Sequence, residues 1–197
     1  RPRRSSGMLI YIHGFNSAPP SFKPTLLKQR LEAMGRGGEF GAPALPVSPA
    51  RAAALLDDLA RRHPGAALVG SSLGGYYATW LAEKHGLNAV LLNPAVRPYD
   101  LLKDHIGPQQ NLYTGERYEL TERDVNELRV LEVETVNPSR YLLIVATGDE
   151  VLDYRAAVER YRGCRSIVIE GGDHGLSSFA NYLDRVMAHL PPARSID

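Results

Sequence analysis

Short apolar runs recur along this chain, and each is followed by a stretch with helical periodicity, a pattern that few folds accommodate. "MLIYIH" (8–13), "AALVG" (66–70), "NAVLLN" (88–93), "YLLIVA" (141–146) and "SIVIE" (166–170) are short and apolar, as strands covered on both faces of a sheet must be. A sixth, weaker strand is expected around 39–46. Between them, Ser21 stands where it would cap a helix whose Phe22, Leu26, Leu27, Leu31 and Met34 recur at helical spacing before Gly35. Ser48–Pro49 opens a second helix and Pro64–Gly65 closes it. "LGGYYATWLAEKH" carries an apolar stripe of Leu73, Tyr76, Tyr77, Trp80 and Leu81. Further helices are expected over 153–161 and at the end of the chain, the last lined by Phe179, Leu183, Val186 and Leu190. Strands alternating with helices imply right-handed crossovers, so the expected fold is α/β: a mostly parallel sheet of about six strands with helices on both faces.

The 197 residues suffice for one domain with a substantial core, expected over residues 8–191, and are short for two. Residues 98–138 interrupt the alternation. They hold nine acidic and four basic side chains, and are too long for a plain connection between strands. A hairpin around Thr114–Gly115 and a short helix over 122–131, capped by Thr121 with Asp124, mark this stretch as a lid-like insertion. The opening "RPRRSSG" (1–7) is expected to be a disordered basic tail or an expression remnant.

The net charge of +1 supplies no field for capturing nucleic acid. No apolar run approaches the roughly 18 residues of a membrane span. The single cysteine, Cys164, excludes an internal disulfide framework, and a cytoplasmic location is expected. His, Cys and carboxylates do not cluster at ligand spacing, so neither a metal nor another cofactor is expected.

The chemistry centres on "LVGSSLGGYYATWLAEKH" (68–85). Gly70-Ser71-Ser72-Leu73-Gly74 fits Gly-x-Ser-x-Gly, and only Ser72 has glycines at both offsets. In a nucleophile elbow the serine occupies a sharp strand-to-helix turn, and the flanking glycines let the two elements approach without a Cβ clash. A dinucleotide fingerprint is the competing glycine-rich reading, but Gly-x-Gly-x-x-Gly is missing and the next strand ends in Asn93 rather than an acid.

A serine hydroxyl needs a base, and an elbow of this kind predicts the order Ser, acid, His. Of the six histidines, His63 and His85 end helices, His105 lies in the insertion and His189 on the last helix. His13 precedes the serine and is expected to brace its own loop. His174, in "EGGDHG" after the last strand, is the expected base. "TGDEVLDY" offers Asp149, Glu150 and Asp153 for the acid. Asp149 stands just past the strand end and is preferred; Asp153 suits an N-cap, and Glu150 is expected to be solvated. Two backbone N–H groups must hold the oxyanion. Leu73 supplies one by its position after the nucleophile, and Phe15 in "HGFNS" is the expected second.

"YIHGFNSAP", "GSSLGGYYATWLAE", "NPAVRPYDLL", "YTGERY" and "GDEVLDYRAAVERYRGCRSIVIEGG" together resemble the small bacterial esterases of the YqiA type, in the α/β-hydrolase superfamily. The resemblance runs from about Met8 to the final helix. It implies a compact α/β-hydrolase fold, cofactor-free hydrolysis of short-acyl carboxylic esters, and the triad roles on Ser72, Asp149 and His174. The chain departs from the family spelling at Asp173, where Asn is usual. A small-molecule ester is therefore the expected partner. Two further readings remain: a thioesterase, and a non-catalytic hydrolase-shaped binding protein, which would not need these three residues in this order.

Overall fold

A computed structural model describes residues 7–190 of the chain. Six strands form one parallel sheet: β1 (Leu9–Ile12), β2 (Phe40–Gly41), β3 (Ala67–Ser71), β4 (Ala89–Leu92), β7 (Tyr141–Ala146) and β8 (Arg165–Ile169), in the order β2-β1-β3-β4-β7-β8. The weak strand expected over 39–46 contracts to two residues. A separate antiparallel pair, β5 (Gly107–Gln110) and β6 (Arg117–Leu120), is the hairpin expected within the insertion.

Alternation along the central strands divides the core into two layers. Ile10, Ile12, Leu68, Leu91, Leu143 and Val145 face one way, against α2 (Pro49–Arg62), α3 (Leu73–His85), α5 (Glu122–Val130) and α6 (Tyr154–Arg160). Leu9, Tyr11, Val69, Val90, Leu142 and Ile144 face the other, against α1 (Phe22–Ala33) and α7 (Leu183–Ala188). Burial on both faces is why these strands read as continuous apolar runs.

The helix boundaries follow their local signals. Ser48 Oγ accepts the Arg51 N–H with Pro49 in the first turn of α2, and Thr121 and Asp124 form a reciprocal capping box on α5. In α1 the expected stripe is narrower than its sequence spacing. Leu27 and Leu31 are fully buried, one turn apart, whereas Phe22 and Met34 are 48% and 49% exposed. A 12-residue helix on a twisted sheet contacts it along little more than one ridge, and its ends diverge from the surface. Ser21 stands at the N-cap position, but its hydroxyl makes no capping bond.

The 98–138 stretch has two parts. α4 (Pro98–Leu102) and α5 are built into the core: Val125 and Leu128 are buried, Tyr76 donates its hydroxyl proton to Leu128 O at 2.6 Å, and Ser48 Oγ donates to Glu127 at 2.9 Å. The hairpin instead reaches across the C-terminal edge of the sheet. Of the basic opening, residues 1–6 lie outside the described residues, as does 191 at the far boundary of the expected domain. Gly7, two residues before β1, is buried.

Candidate active site

β3 ends at Ser71 and α3 begins at Leu73, so the whole reversal from strand to helix falls on Ser72, at φ 56° and ψ −120°. This backbone region costs a non-glycine residue about 1–3 kcal/mol, so its surroundings must enforce it. The Ser72 N–H donates to Leu92 O at 3.0 Å, and its carbonyl accepts the N–H groups of Gly75 and Ala95, both at 2.9 Å. The glycines answer a steric demand. A Cβ on Gly70 would lie 2.3 Å from Gly74 O, and one on Gly74 only 1.9 Å from Ile12 O. Gly14, after β1, faces Ser72 itself, where a Cβ would approach Ser72 Cβ to 3.2 Å.

The loops after β7 and β8 are stitched together. Thr147 N–H donates to Ile169 O at 2.9 Å, Gly148 N–H to Gly171 O at 2.7 Å, and Gly171 N–H to Thr147 Oγ1 at 2.7 Å. A side chain at Gly148 would close to 2.5 Å on Gly172 O, so that contact requires glycine. The stitching brings Asp149 to His174: the carboxylate oxygens lie 3.0 and 2.9 Å from Nδ1. The Asp149 side chain is 2% exposed, and Oδ1 also accepts the N–H groups of Val151 and Leu152 at 2.9 and 2.8 Å. Burial pushes its pKa up, but the hydrogen bond from His174, the two amides and the imidazole charge together hold it below the ordinary carboxylate value. An ionised Asp149 fixes the proton of His174 on Nδ1 and leaves Nε2 as the basic nitrogen.

Glu150 is exposed yet not merely solvated: its Oε2 accepts the backbone N–H of His174 at 2.9 Å, which corrects the expectation for this residue. Asp153 caps α6 through the Arg155 N–H. Asp173 turns its carboxylate onto Ser177, accepting from the backbone N–H at 2.8 Å and the hydroxyl at 2.6 Å.

Asn93 was not singled out from the sequence. It ends β4 at φ 40° with 3% exposure. Its amide donates to the carbonyls of Asp173 and His174 at 3.1 and 3.0 Å and accepts the Ala146 N–H at 2.9 Å. One buried side chain thus ties the ends of β4 and β7 to the histidine loop. A polar residue closing an otherwise apolar strand is the signal that could have found it.

Ser72 and His174 line one cavity of about 210 Å³ with Phe15, Phe22, Lys23 and Tyr113 among its walls. Phe15 also borders a smaller cavity of about 80 Å³ to which Leu73 and Tyr77 contribute. Among the described residues no acceptor takes the N–H of Phe15 or of Leu73. His13 is buried and accepts the Leu45 N–H on Nε2 at 3.1 Å, with Nδ1 2.9 Å from Gly14 O. It braces the loop, and burial lowers its pKa against the opposing pull of the Gly14 carbonyl.

The hairpin is bonded to the same loop. Tyr118 OH donates to Asn16 Oδ1, Leu112 N–H to Asn16 O at 3.2 Å, and Asn111 Nδ2 to Ser17 O at 2.9 Å. A larger cavity of about 540 Å³ opens between α4 and α6, but neither Ser72 nor His174 lines it, and charged side chains such as Arg97, Asp100 and Glu159 form much of its wall. Among the described residues there is no group of three or more His, Cys, Asp or Glu that could hold a metal ion. No helix among them is long and apolar enough to cross a membrane.

The model of an uncharacterised protein family, UPF0227, matches residues 8–190. A UPF0227 protein of Shewanella sp. (strain ANA-3) is 23% identical over 193 residues, covering 95% of this chain and 98% of its own. Among solved structures, mouse alpha/beta hydrolase domain-containing protein 10 superposes with a TM-score of 0.67 at 15% identity, covering 91% of this chain and 89% of its own. A monoacylglycerol lipase of Paleococcus ferrophilus gives a TM-score of 0.65 at 16% identity, over 92% and 94%. The architecture is that of the α/β-hydrolase fold, as expected.

Proposed function

The chain belongs to the UPF0227 family, the YqiA family its motifs resemble, and from this we propose that it is a serine hydrolase that cleaves short-acyl carboxylic esters through an acyl-enzyme. One observation carries the reading: Ser72, held in a strained elbow, shares a small cavity with a histidine whose Nδ1 is secured by a buried carboxylate. Esterase and lipase neighbours on the same fold are consistent with it as analogy.

Ser72 Oγ attacks the ester carbonyl as His174 Nε2 takes its proton. Asp149 holds the imidazole in orientation and stabilises its charge, and the N–H groups of Phe15 and Leu73 face the oxyanion. Collapse breaks the acyl C–O bond, and His174 returns the proton to the leaving alcohol. Water then adds to the acyl-enzyme with His174 again as base, releasing the acid and Ser72. The 98–138 insertion roofs the site through its hairpin, and no cofactor takes part in these steps.

The test is hydrolysis of p-nitrophenyl esters across a chain-length series by wild type and Ser72→Ala. We expect kcat to fall by about 10⁴–10⁶ in the variant. Activity that survives the substitution would move the chemistry elsewhere.

A further inference from the structure

The Ser72 cavity is not built for a plain alkyl chain. Hydroxyl-bearing Tyr11, Ser17, Ser21, Ser71 and Tyr113 line it, with the ammonium group of Lys23 and no carboxylate. The Tyr11 and Ser71 side chains bond one another, but a fully apolar acyl group would leave the Ser21 hydroxyl and the remaining donors of Lys23 without partners, which is costly. Lys23 Nζ donates to Gly175 O at 3.0 Å, one use of its three N–H donors. Among the described residues no carboxylate lies within ion-pair distance of it. Asp173 acts on Lys23 only at longer range, with its own oxygens committed to Ser177. Burial pushes the Lys23 pKa down and the Asp173 charge pulls it up.

Beside Lys23 is the start of α1, a 12-residue helix. Its first N–H groups, on Phe22 and Lys23, meet no acceptor among the described residues, and Pro24 has none to offer. Ser21, at the N-cap, is 8% exposed, makes no capping bond and lines the cavity. The hydroxyl of a largely buried residue that leaves its own helix uncapped and lines a cavity is free to donate to an acceptor from outside the chain. The helix dipole, two free amides, this hydroxyl and a cation converge on one side of the nucleophile.

We propose that this corner is a carboxylate seat, and that the enzyme prefers esters whose acyl group ends in a carboxylate: half-esters of short dicarboxylic acids. The inference rests on Ser72 being the nucleophile and specifies which ester reaches it. The terminal carboxylate sits on Lys23 and Ser21 while the ester carbonyl lies at Ser72. Hydrolysis then adds water across the acyl C–O bond to give the free dicarboxylate and the alcohol. The volume of about 210 Å³ accommodates a four- or five-carbon diacid.

The experiment compares monoethyl succinate with ethyl butyrate, matched in acyl length, by acid release at constant pH and ionic strength. Wild type is expected to favour the half-ester in kcat/KM by about 10- to 100-fold, the range of hydrogen bonds to a charged group. In Lys23→Met that ratio should fall by a similar factor, and Lys23→Arg should retain part of it. The ratio is an internal control, since misfolding lowers both rates together. A wild-type ratio at or below one, or a ratio unmoved in Lys23→Met, overturns the seat and leaves Ser72 untouched. If wild type cleaves neither ester, the hydrolase reading fails and calorimetric titration with succinate decides the seat alone. Binding that is lost in Lys23→Met sustains it, and no binding to wild type refutes it.

Discussion

Replacing Asn93 by Ala removes three hydrogen bonds at once and leaves Ala at a positive φ. The Ala146 N–H is buried in the sheet and becomes an orphan donor, worth about 1–3 kcal/mol; the two loop carbonyls each lose about 0.5–1.5 kcal/mol. Holding Ala at a left-handed φ adds about 1 kcal/mol. The sum is about 3–7 kcal/mol, which for a chain of this size lowers the melting temperature by about 6–28 °C. Asn93→Gly loses the same bonds without the backbone penalty, so it should melt above Asn93→Ala. Asn93→Asp keeps an acceptor for Ala146 but sets a carboxylate against two carbonyl oxygens, and should melt well below wild type. Because the lost bonds end on the backbone of Asp173 and His174, kcat for ester hydrolysis should fall by about 100-fold with a smaller change in KM, as a misplaced base would cause. Thermal melting with circular dichroism and steady-state kinetics read the two effects. An Asn93→Ala protein melting within about 2 °C of wild type would refute the reasoning, since even one orphaned buried amide is worth more.

Asp149→Asn should lower kcat by about 10⁴ while the protein stays folded, since an amide cannot hold the same imidazole tautomer. The folded pKa of Asp149 is depressed, so its stabilising contribution is present above the ordinary carboxylate value and lost as pH falls through the folded one. Urea midpoints of wild type and Asp149→Asn should therefore converge below about pH 4. For His13 the folded pKa is also depressed, so the unfolded chain takes the proton first and stability declines as pH drops below about 6.5. His13→Phe should start less stable at pH 8, with the Leu45 N–H unpaired, and show a flatter decline in urea midpoint between pH 6.5 and 5. Gly74→Ala places a methyl 1.9 Å from Ile12 O, a backbone atom that cannot yield, so soluble folded protein should be lost; a soluble variant with wild-type melting would contradict the steric account.

Much of this was legible because it is local. Five of the six sheet strands, the helices between them, the hairpin and the capping box announce themselves within a few residues, through apolar runs, prolines at helix starts and Thr121 with Asp124. The elbow is local as well, since glycines two residues to either side of Ser72 are what its turn requires. Chain order selected His174 and Asp149, and the structure does bring these two together, although 24 residues separate them in the chain.

Other features depend on contacts that sequence spacing does not report. Asn93 reads as the polar end of a strand until the loop 80 residues later arrives against it. Glu150 reads as a solvated acid until its carboxylate meets the His174 amide, and Ser21 as a helix cap until its hydroxyl proves uncommitted. Lys23 and Phe22 look like ordinary positions on an amphipathic helix, and only the packing of α1 beside the elbow makes them walls of a cavity. The sequence by itself determined the elements, their order and the residue types able to do the chemistry, because propensity, periodicity and backbone strain act over a few residues. Only the tertiary structure decided which polar groups share a cavity and which are held by a distant carbonyl, because burial and hydrogen-bond partnership arise when remote segments close on one another.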